Sequence, residues 1–306
     1  MENFLNWWQH LPARMDPVIF EIGSFKLQYY GLMYIVAFAL TYWLAARRIR
    51  REAHAPITID QLQGLMTAMI VGLIIGARLG YVLFYNFSYY LHHPLEIVLP
   101  FEFSGGIRFT GITGMSYHGG LLGVILAAVI YGRKNRLDFF PMADLMVPCI
   151  PLGYTFGRLG NFINGELYGR LTAHPIGMVF PLAPGSGRRH PSQLYEALFE
   201  GIVLFALLWT LKSRVATRGA MLAIYLMGYG AVRFVIEFTR QPDTHLGLVL
   251  LSLSMGQLLC LAMILAGGLL LFTLAKNQPG SPPAIRKQTA KVRKKDGGAS
   301  RRRSPG

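Results

Sequence analysis

Residues 157–170 read GRLGNFINGELYGR, directly after the apolar run PMADLMVPCIPLGYTF at 141–156. A hydrophobic stretch ending in an arginine, two asparagines, a glutamate and a second arginine is costly unless those groups are used. Even permissive scales charge about 2.5–3.5 kcal/mol for one arginine at mid-membrane. Arg158 and Asn161 stand at i and i+3, Arg233 and Glu237 at i and i+4, so on helices each pair shares a face. Arginine's planar fork grips two phosphate oxygens at once, which lysine cannot do. Two such arginines with no excess of acids beside them suit a phosphate, and at a membrane edge the simplest phosphate is a lipid headgroup. Arg233 with Glu237 can also be read as an internal ion pair, and Glu237 can pair equally with Arg240.

Other residues carry weaker signals. His118, in SYHGG at 116–120, is either a satisfied structural histidine or a proton carrier near neutral pH. No second histidine or carboxylate lies at ligand spacing around it, so no metal site is expected. Arg78 flanks a glycine row and is open to a pairing role or a functional one. His190, Ser192 and Glu196 in HPSQLYE suggest a hydrolase triad, but no nucleophile-elbow glycines surround Ser192. That stretch reads better as a helix start, with Ser192 as N-cap and acids favouring the N-terminal end. Cys149 and Cys260 sit far apart in apolar runs and fit no zinc, haem or redox spacing, so packing is their expected role.

The elements that must position these groups follow from composition. Of 306 residues 53% are apolar and 15% charged, and the mean hydropathy is +0.38. Those values suit a polytopic membrane protein and not a soluble domain. The net charge of +15 does not indicate nucleic acid, because two thirds of the 30 Lys and Arg fall at 47–51, 133–136, 212–218 and 276–306, each after or between apolar runs. This is the positive-inside pattern. The predicted architecture is an all-α polytopic membrane protein with seven spans, near 27–46, 62–85, 115–132, 139–162, 194–211, 219–239 and 254–275. Basic clusters follow spans one, three, five and seven, which puts the N-terminus outside and the C-terminus in the cytoplasm.

The outer connections 86–114, 163–193 and 240–253 are rich in Gly and Pro and are expected to build a small periplasmic head, completing a membrane domain over 1–276. Segments 94–103 and 245–253 read as short interfacial helices, and 277–306 as a disordered basic cytoplasmic tail. Gly72, Gly76 and Gly80 form a small-residue row for close helix approach. No cleavable signal peptide is evident in the mixed, Trp-rich first 26 residues. With this topology Tyr30 and Tyr34, Arg78, His118, Arg158 with Asn161, and Arg233 with Glu237 all fall near the outer face, on five separate spans.

The string GRLGNFINGELYGR resembles the signature of the bacterial prolipoprotein diacylglyceryl transferase family. YYGLMY (29–34), GYVLFYN (80–86), SYHGGLLGV (116–124), RHPSQLYE (189–196), GYGAVRFVIEFTRQPD (228–243) and SMGQ (254–257) resemble its other segments in the same order. The resemblance runs from about residue 16 to 275. It implies a multi-pass protein of the bacterial inner membrane that transfers the diacylglyceryl group of phosphatidylglycerol to the lipobox cysteine of a prolipoprotein. A thioether forms, glycerol 1-phosphate leaves, and no cofactor or metal is expected. It also implies essential roles for Tyr30, His118, Arg158, Asn161, Glu166, Arg233 and Glu237, with Arg158 at the position tied to phosphatidylglycerol.

A thiol of pKa about 8.5 needs help to react at neutral pH, and His118, Glu166 and Glu237 are the rival bases. Arg158 and Arg233 would stabilise the leaving phosphate, Asn161 would hold a phosphate or glycerol oxygen, and Tyr30 would fix the headgroup or orient His118. Two other classes compete. A lipid carrier would use the same arginines at the bilayer midplane, with inverted repeats and broken helices. An intramembrane hydrolase would draw on Ser116 or Ser192.

Overall fold

The computed structural model describes residues 2–22, 25–52, 54–99, 101–102, 108–109, 114–241, 248–250 and 253–276. The predicted basic tail, 277–306, lies outside the described residues. Helix α1 (Glu2–Gln9) and a 3-10 turn (Pro12–Arg14) precede a hairpin of β1 (Val18–Ile22) and β2 (Phe25–Gln28). Long helices α2 (Tyr29–Arg51) and α3 (Ile59–Tyr85) follow, then α4 (Phe87–His92), a 3-10 turn (Pro94–Ile97) and the paired strands β3 (Phe101–Glu102) and β4 (Arg108–Phe109). Next come α5 (Tyr117–Lys134), α6 (Phe139–Met146), α7 (Ile150–Ile163) and α8 (Ser192–Glu196). A π-helical turn (Ala197–Val203) joins α8 to α9 (Leu204–Leu211), and α10 (Ala220–Ile236), β5 (Leu248–Leu250), β6 (Leu253–Ser254) and α11 (Met255–Lys276) complete the chain.

This is a helical, polytopic membrane protein. Among the described residues four helical stretches are long and apolar enough to cross a bilayer: Tyr29–Arg51, Ile59–Tyr85, Ser192–Leu211 and Met255–Lys276. Helices α6 and α7, bent by 52° at their junction, pass the same test only as a pair, which brings the count to five if the pair is one span. Helices α5 and α10 have 18 and 17 residues, about 25–27 Å of rise against a hydrocarbon core of about 30 Å. Side chains such as Ile75, Leu83, Leu126, Ile130, Leu265 and Phe272 stay exposed on the helix surfaces, as lipid-facing residues do.

Several expectations need correction. The chain is not purely α, because three two-stranded antiparallel ribbons punctuate it. Segment 245–253 holds the strands of β5–β6 and not an interfacial helix, and 94–103 holds one 3-10 turn followed by β3. The span expected at 139–162 is broken. Val147 still bonds back to Ala143, but Pro148 has no N–H to give, Cys149 reaches only to Met146, and Pro151 lies in the first turn of α7.

The glycine row does what its spacing predicts. Gly72, Gly76 and Gly80 of α3 meet Gly119 and Gly123 of α5 backbone to backbone, and a Cβ added at Gly80 would lie 2.8 Å from the Gly119 Cα. Thr58 and Gln61 form a reciprocal capping box that starts α3. Ser116 caps α5 while its own N–H donates to the Ala77 carbonyl, which fixes the α5 N-terminus, and His118 with it, against α3. Arg78 proves to be a tie: it donates to the carbonyls of Glu96, Ile97 and Gly114 and stacks over Tyr90. At the other end of the bundle Leu44, Ala45, Leu62, Leu65, Leu145 and Cys149 pack a dry core. Cys149 and Cys260 are both free and buried.

Candidate active site

Helix α7 ends where GRLGNFINGELYGR turns. Gly165 takes a left-handed conformation (φ 68°), and Leu167 is forced into the same region (φ 59°), uncommon for a residue with a Cβ. The turn folds Glu166 back so that its N–H donates to the Asn161 carbonyl, 3.1 Å, and its carboxylate accepts from Asn161 Nδ2, 2.8 Å. Gly160 lets Tyr30 of α2 lie against α7, and Gly169 lets the loop cross Thr239 and His190. Gly157 has no neighbour within 4 Å of an added Cβ. Arg170 is structural: its Nε donates to the Arg240 carbonyl.

Arg158 is the hub on α7. Its Nε donates to the Tyr154 hydroxyl at 2.6 Å and lies 2.7 Å from Glu196 Oε2 in an ion pair. Its Nη1 donates to Asn161 Oδ1 at 3.3 Å. Glu196, wholly buried at the end of α8, also lies 3.0 Å from Arg233 Nη1 and 2.5 Å from Arg240 Nη1. Arg233 Nη2 is 3.0 Å from Glu237 Oε2, so both pairings expected of Glu237 occur, Arg240 standing 3.5 Å away. Glu237 further accepts from the Ser254 hydroxyl, 3.0 Å, and Gly256 gives its carboxylate room. SMGQ is thus the capped start of α11, with Ser254 and Gln257 bonding each other's backbone around that carboxylate.

The arginines have no excess of acids beside them, but they have as many acids as there are guanidinium groups to pair. Arg158, Arg233 and Arg240 are matched by Glu196, Glu200 and Glu237. Burying a guanidinium without a partner costs several kcal/mol, and here each has at least one carboxylate. The match is one of charge more than of hydrogen bonding: Arg233 Nη1, Glu200 Oε1 and Glu237 Oε2 are buried and make no well-formed hydrogen bond.

Of the residues expected from sequence, Arg158, Asn161, Glu166, Arg233 and Glu237 are joined in one network. Tyr30 adjoins Asn161 and bonds the Tyr34 hydroxyl at 3.0 Å. His118 stands apart. It is exposed in the first turn of α5 and, among the described residues, its recorded contact is the edge of the Tyr117 ring.

Glu200 and Tyr154 were missed, and Glu196 was read as a helix-start acid and not as a partner of the arginines. Glu196 and Glu200 are acids at i and i+4 within the fifth span, so the rule that singled out the intramembrane arginines applied to them too. The hydrolase constellation is absent as such. Ser192 is not the N-cap but the first residue of α8, donating to the Leu167 carbonyl. His190 meets Tyr195, and Glu196 faces arginines. Burial and the neighbouring His174 hold the His190 imidazole below the ordinary histidine value.

A helical membrane scaffold that gathers guanidinium, amide, carboxylate and phenol groups at the ends of its helices is that of a membrane-embedded enzyme. The chain belongs to the prolipoprotein diacylglyceryl transferase family, whose model matches residues 17–273. It is 52% identical over 268 residues to the phosphatidylglycerol–prolipoprotein diacylglyceryl transferase of Chlorobaculum tepidum, covering 87% of this chain and 92% of that one. The enzyme of the same name from Bordetella parapertussis is 51% identical over 261 residues, 85% and 96% of the two chains. That from Aliivibrio salmonicida is 48% identical over 261 residues, 85% and 88%. The protein is therefore a transferase.

Proposed function

We propose that the protein moves the diacylglyceryl group of phosphatidylglycerol onto the lipobox cysteine of a prolipoprotein. The cysteine sulfur forms a bond to the glyceryl carbon, the carbon–oxygen bond to phosphate breaks, and the phosphate oxygen keeps the electron pair as glycerol 1-phosphate leaves. The thiol proton passes to a base. The enzyme sits in the bacterial inner membrane as seven spans, with α5, α10 and the bent α6–α7 pair counted among them. Its N-terminus is outside and its C-terminus is cytoplasmic. Residues 1–276 form the transferase domain, the outer connections its periplasmic head, and 277–306 a basic cytoplasmic tail.

The observation that carries this reading is the shared carboxylate. Arg158 and Arg233, from different helices, both contact Glu196, at 2.7 and 3.0 Å, so their guanidinium groups face one place. Arg233 Nη1 retains a donor with no good acceptor, which a phosphate oxygen would satisfy. In a dry site such pre-placed donors act on charge that develops late, as on a departing phosphate. Asn161 and Tyr30 line the same network and hold glycerol or phosphate oxygens. Of the rival bases, Glu237 is engaged by two arginines and Glu166 by Asn161. His118, exposed and uncommitted, takes the thiol proton.

The test supplies purified protein with phosphatidylglycerol and a lipobox peptide and follows the peptide mass. Wild type adds diacylglyceryl to the cysteine. Arg158→Ala and Arg233→Ala each lose about a hundredfold or more in turnover, the scale of one transition-state donor. Near-normal turnover by either variant rejects the leaving-group role. Peptide cleavage, or lipid translocation without transfer, supports the hydrolase or the carrier instead.

A further inference from the structure

The two arginines are linked by a second route, through Tyr154 and Glu200, which meets Glu196 only where the Tyr154 hydroxyl lies 3.4 Å from Glu196 Oε2. Tyr154, one turn before Arg158 on α7, lays its ring under the guanidinium with the carbon 4.7 Å from the centroid and accepts from Nε at 2.6 Å. Its hydroxyl donates in turn to Glu200 Oε2 at 2.6 Å, and Glu200 Oε1 stands 3.5 Å from Arg233 Nη1. Glu200 is 1% exposed. The π-helical turn puts it there. Thr155 directs its hydroxyl at the carbonyls of Pro151 and Ala197, both 3.3 Å away, while Gly201 lets that side chain press into the widened turn. Turns of this kind recur at functional sites because they re-aim side chains.

From this geometry we infer that Tyr154 and Glu200 are positioning residues that hold Arg158 and Arg233 in register whenever substrate phosphate competes with Glu196 for them. The inference rests on the proposed role of the arginines. Glu196 bridges three arginines and is the carboxylate that an incoming phosphate would most directly rival. If Glu196 were the sole link, that rivalry would free both guanidinium groups to turn. The Tyr154–Glu200 bridge joins the same two guanidinium groups without Arg240 or Asn161, and its tie to Glu196 is the longer 3.4 Å contact of the Tyr154 hydroxyl against 2.6 Å to Glu200. Tyr154 therefore acts through Arg158. Removing its hydroxyl leaves the ring contact and the Glu196 pair intact, so lipid binding changes little and the loss falls on kcat.

The experiment is a pair of double-mutant cycles on the full-length protein in detergent, read as kcat and KM for phosphatidylglycerol, with thermal unfolding and size-exclusion controls. Tyr154→Phe is expected to lower kcat roughly tenfold, the scale of one hydrogen bond to a charged group, with KM nearly unchanged. Glu200→Gln behaves alike, and the double variant is no slower than the slower single, because both cut one link. In an Arg158→Lys background Tyr154→Phe has no further effect. Multiplicative losses in either cycle, or wild-type kcat for Tyr154→Phe, overturn the inference. If Glu200→Gln does not fold, the Arg158→Lys cycle decides alone. Full activity of Arg158→Ala would instead reject the parent reading, which keeps the two failures distinct.

Discussion

Glu196 Oε1 lies 3.0 Å from Arg233 Nη1 while Oε2 of the same carboxylate lies 2.7 Å from Arg158 Nε, so one buried side chain on α8 clamps α7 to α10. Breaking a buried pair by removing one charge strands its partners. Glu196→Gln should cost about 3–5 kcal/mol of stability and most of the transferase activity. Lys26→Gln, which breaks the exposed Lys26–Glu21 pair, should change stability by less than about 1 kcal/mol. Thermal unfolding in detergent compares them, and equal effects would remove Glu196 from its structural role.

Contact between α3 and α5 leaves no room for a methyl group. Gly76→Ala should destabilise by about 1–3 kcal/mol, since its Cβ would meet Gly119 and Gly123 backbone that no rotamer can clear. Gly268→Ala, where a Cβ meets nothing within 4 Å, should be neutral or slightly stabilising as a better helix former. Equilibrium unfolding of the two variants side by side is the check.

Leu167 holds a left-handed backbone with nearly half its side chain exposed. A glycine there relieves a strain of about 1–2 kcal/mol and forgoes little burial, whereas a β-branched residue worsens it. Leu167→Gly should match or exceed wild-type melting temperature, and Leu167→Val should fall below it. The reverse order would mean the turn is not strained.

His190 is held below its ordinary value of 6.5, so the unfolded chain takes up its proton first. Its contribution to stability is complete above that value and is lost as pH falls below it. Melting temperatures taken between pH 7.5 and 5 should decline, and His190→Gln should flatten the decline. Parallel curves for the two proteins would count against a role for this histidine.

Much of the site was legible because intramembrane charge is rare enough to stand out. Arg158, Asn161, Arg233 and Glu237 declared themselves by type, spacing and depth, and the glycines of α3 by their fourfold interval. Glu166 came only through resemblance, since a loop carboxylate has no periodic frame to place it. What escaped was pairing. Glu196 sits at the first turn of its span, where an acid has an ordinary explanation in the helix dipole, and Glu200 needs the π-helical turn to reach the arginines. The break at Pro148 was written in the sequence as two nearby prolines but hidden by the continuous apolar run. The ribbons at 101–109 and 248–254 escaped because such short apolar segments fit strand and interfacial helix equally well.

The acids that accompany the guanidinium groups in the cluster have a bearing on turnover. With Glu166 counted, the network holds four carboxylates to three guanidinium groups, and a phosphodiester that enters adds a further negative charge. After carbon–oxygen cleavage the freed phosphate monoester carries up to one more negative charge, so Coulomb repulsion from the glutamates grows at the moment when the product must depart. On the proposed reaction the acids that make burial of the arginines tolerable would also act as the ejector, and an enzyme stripped of one of them would be expected to retain its product for longer.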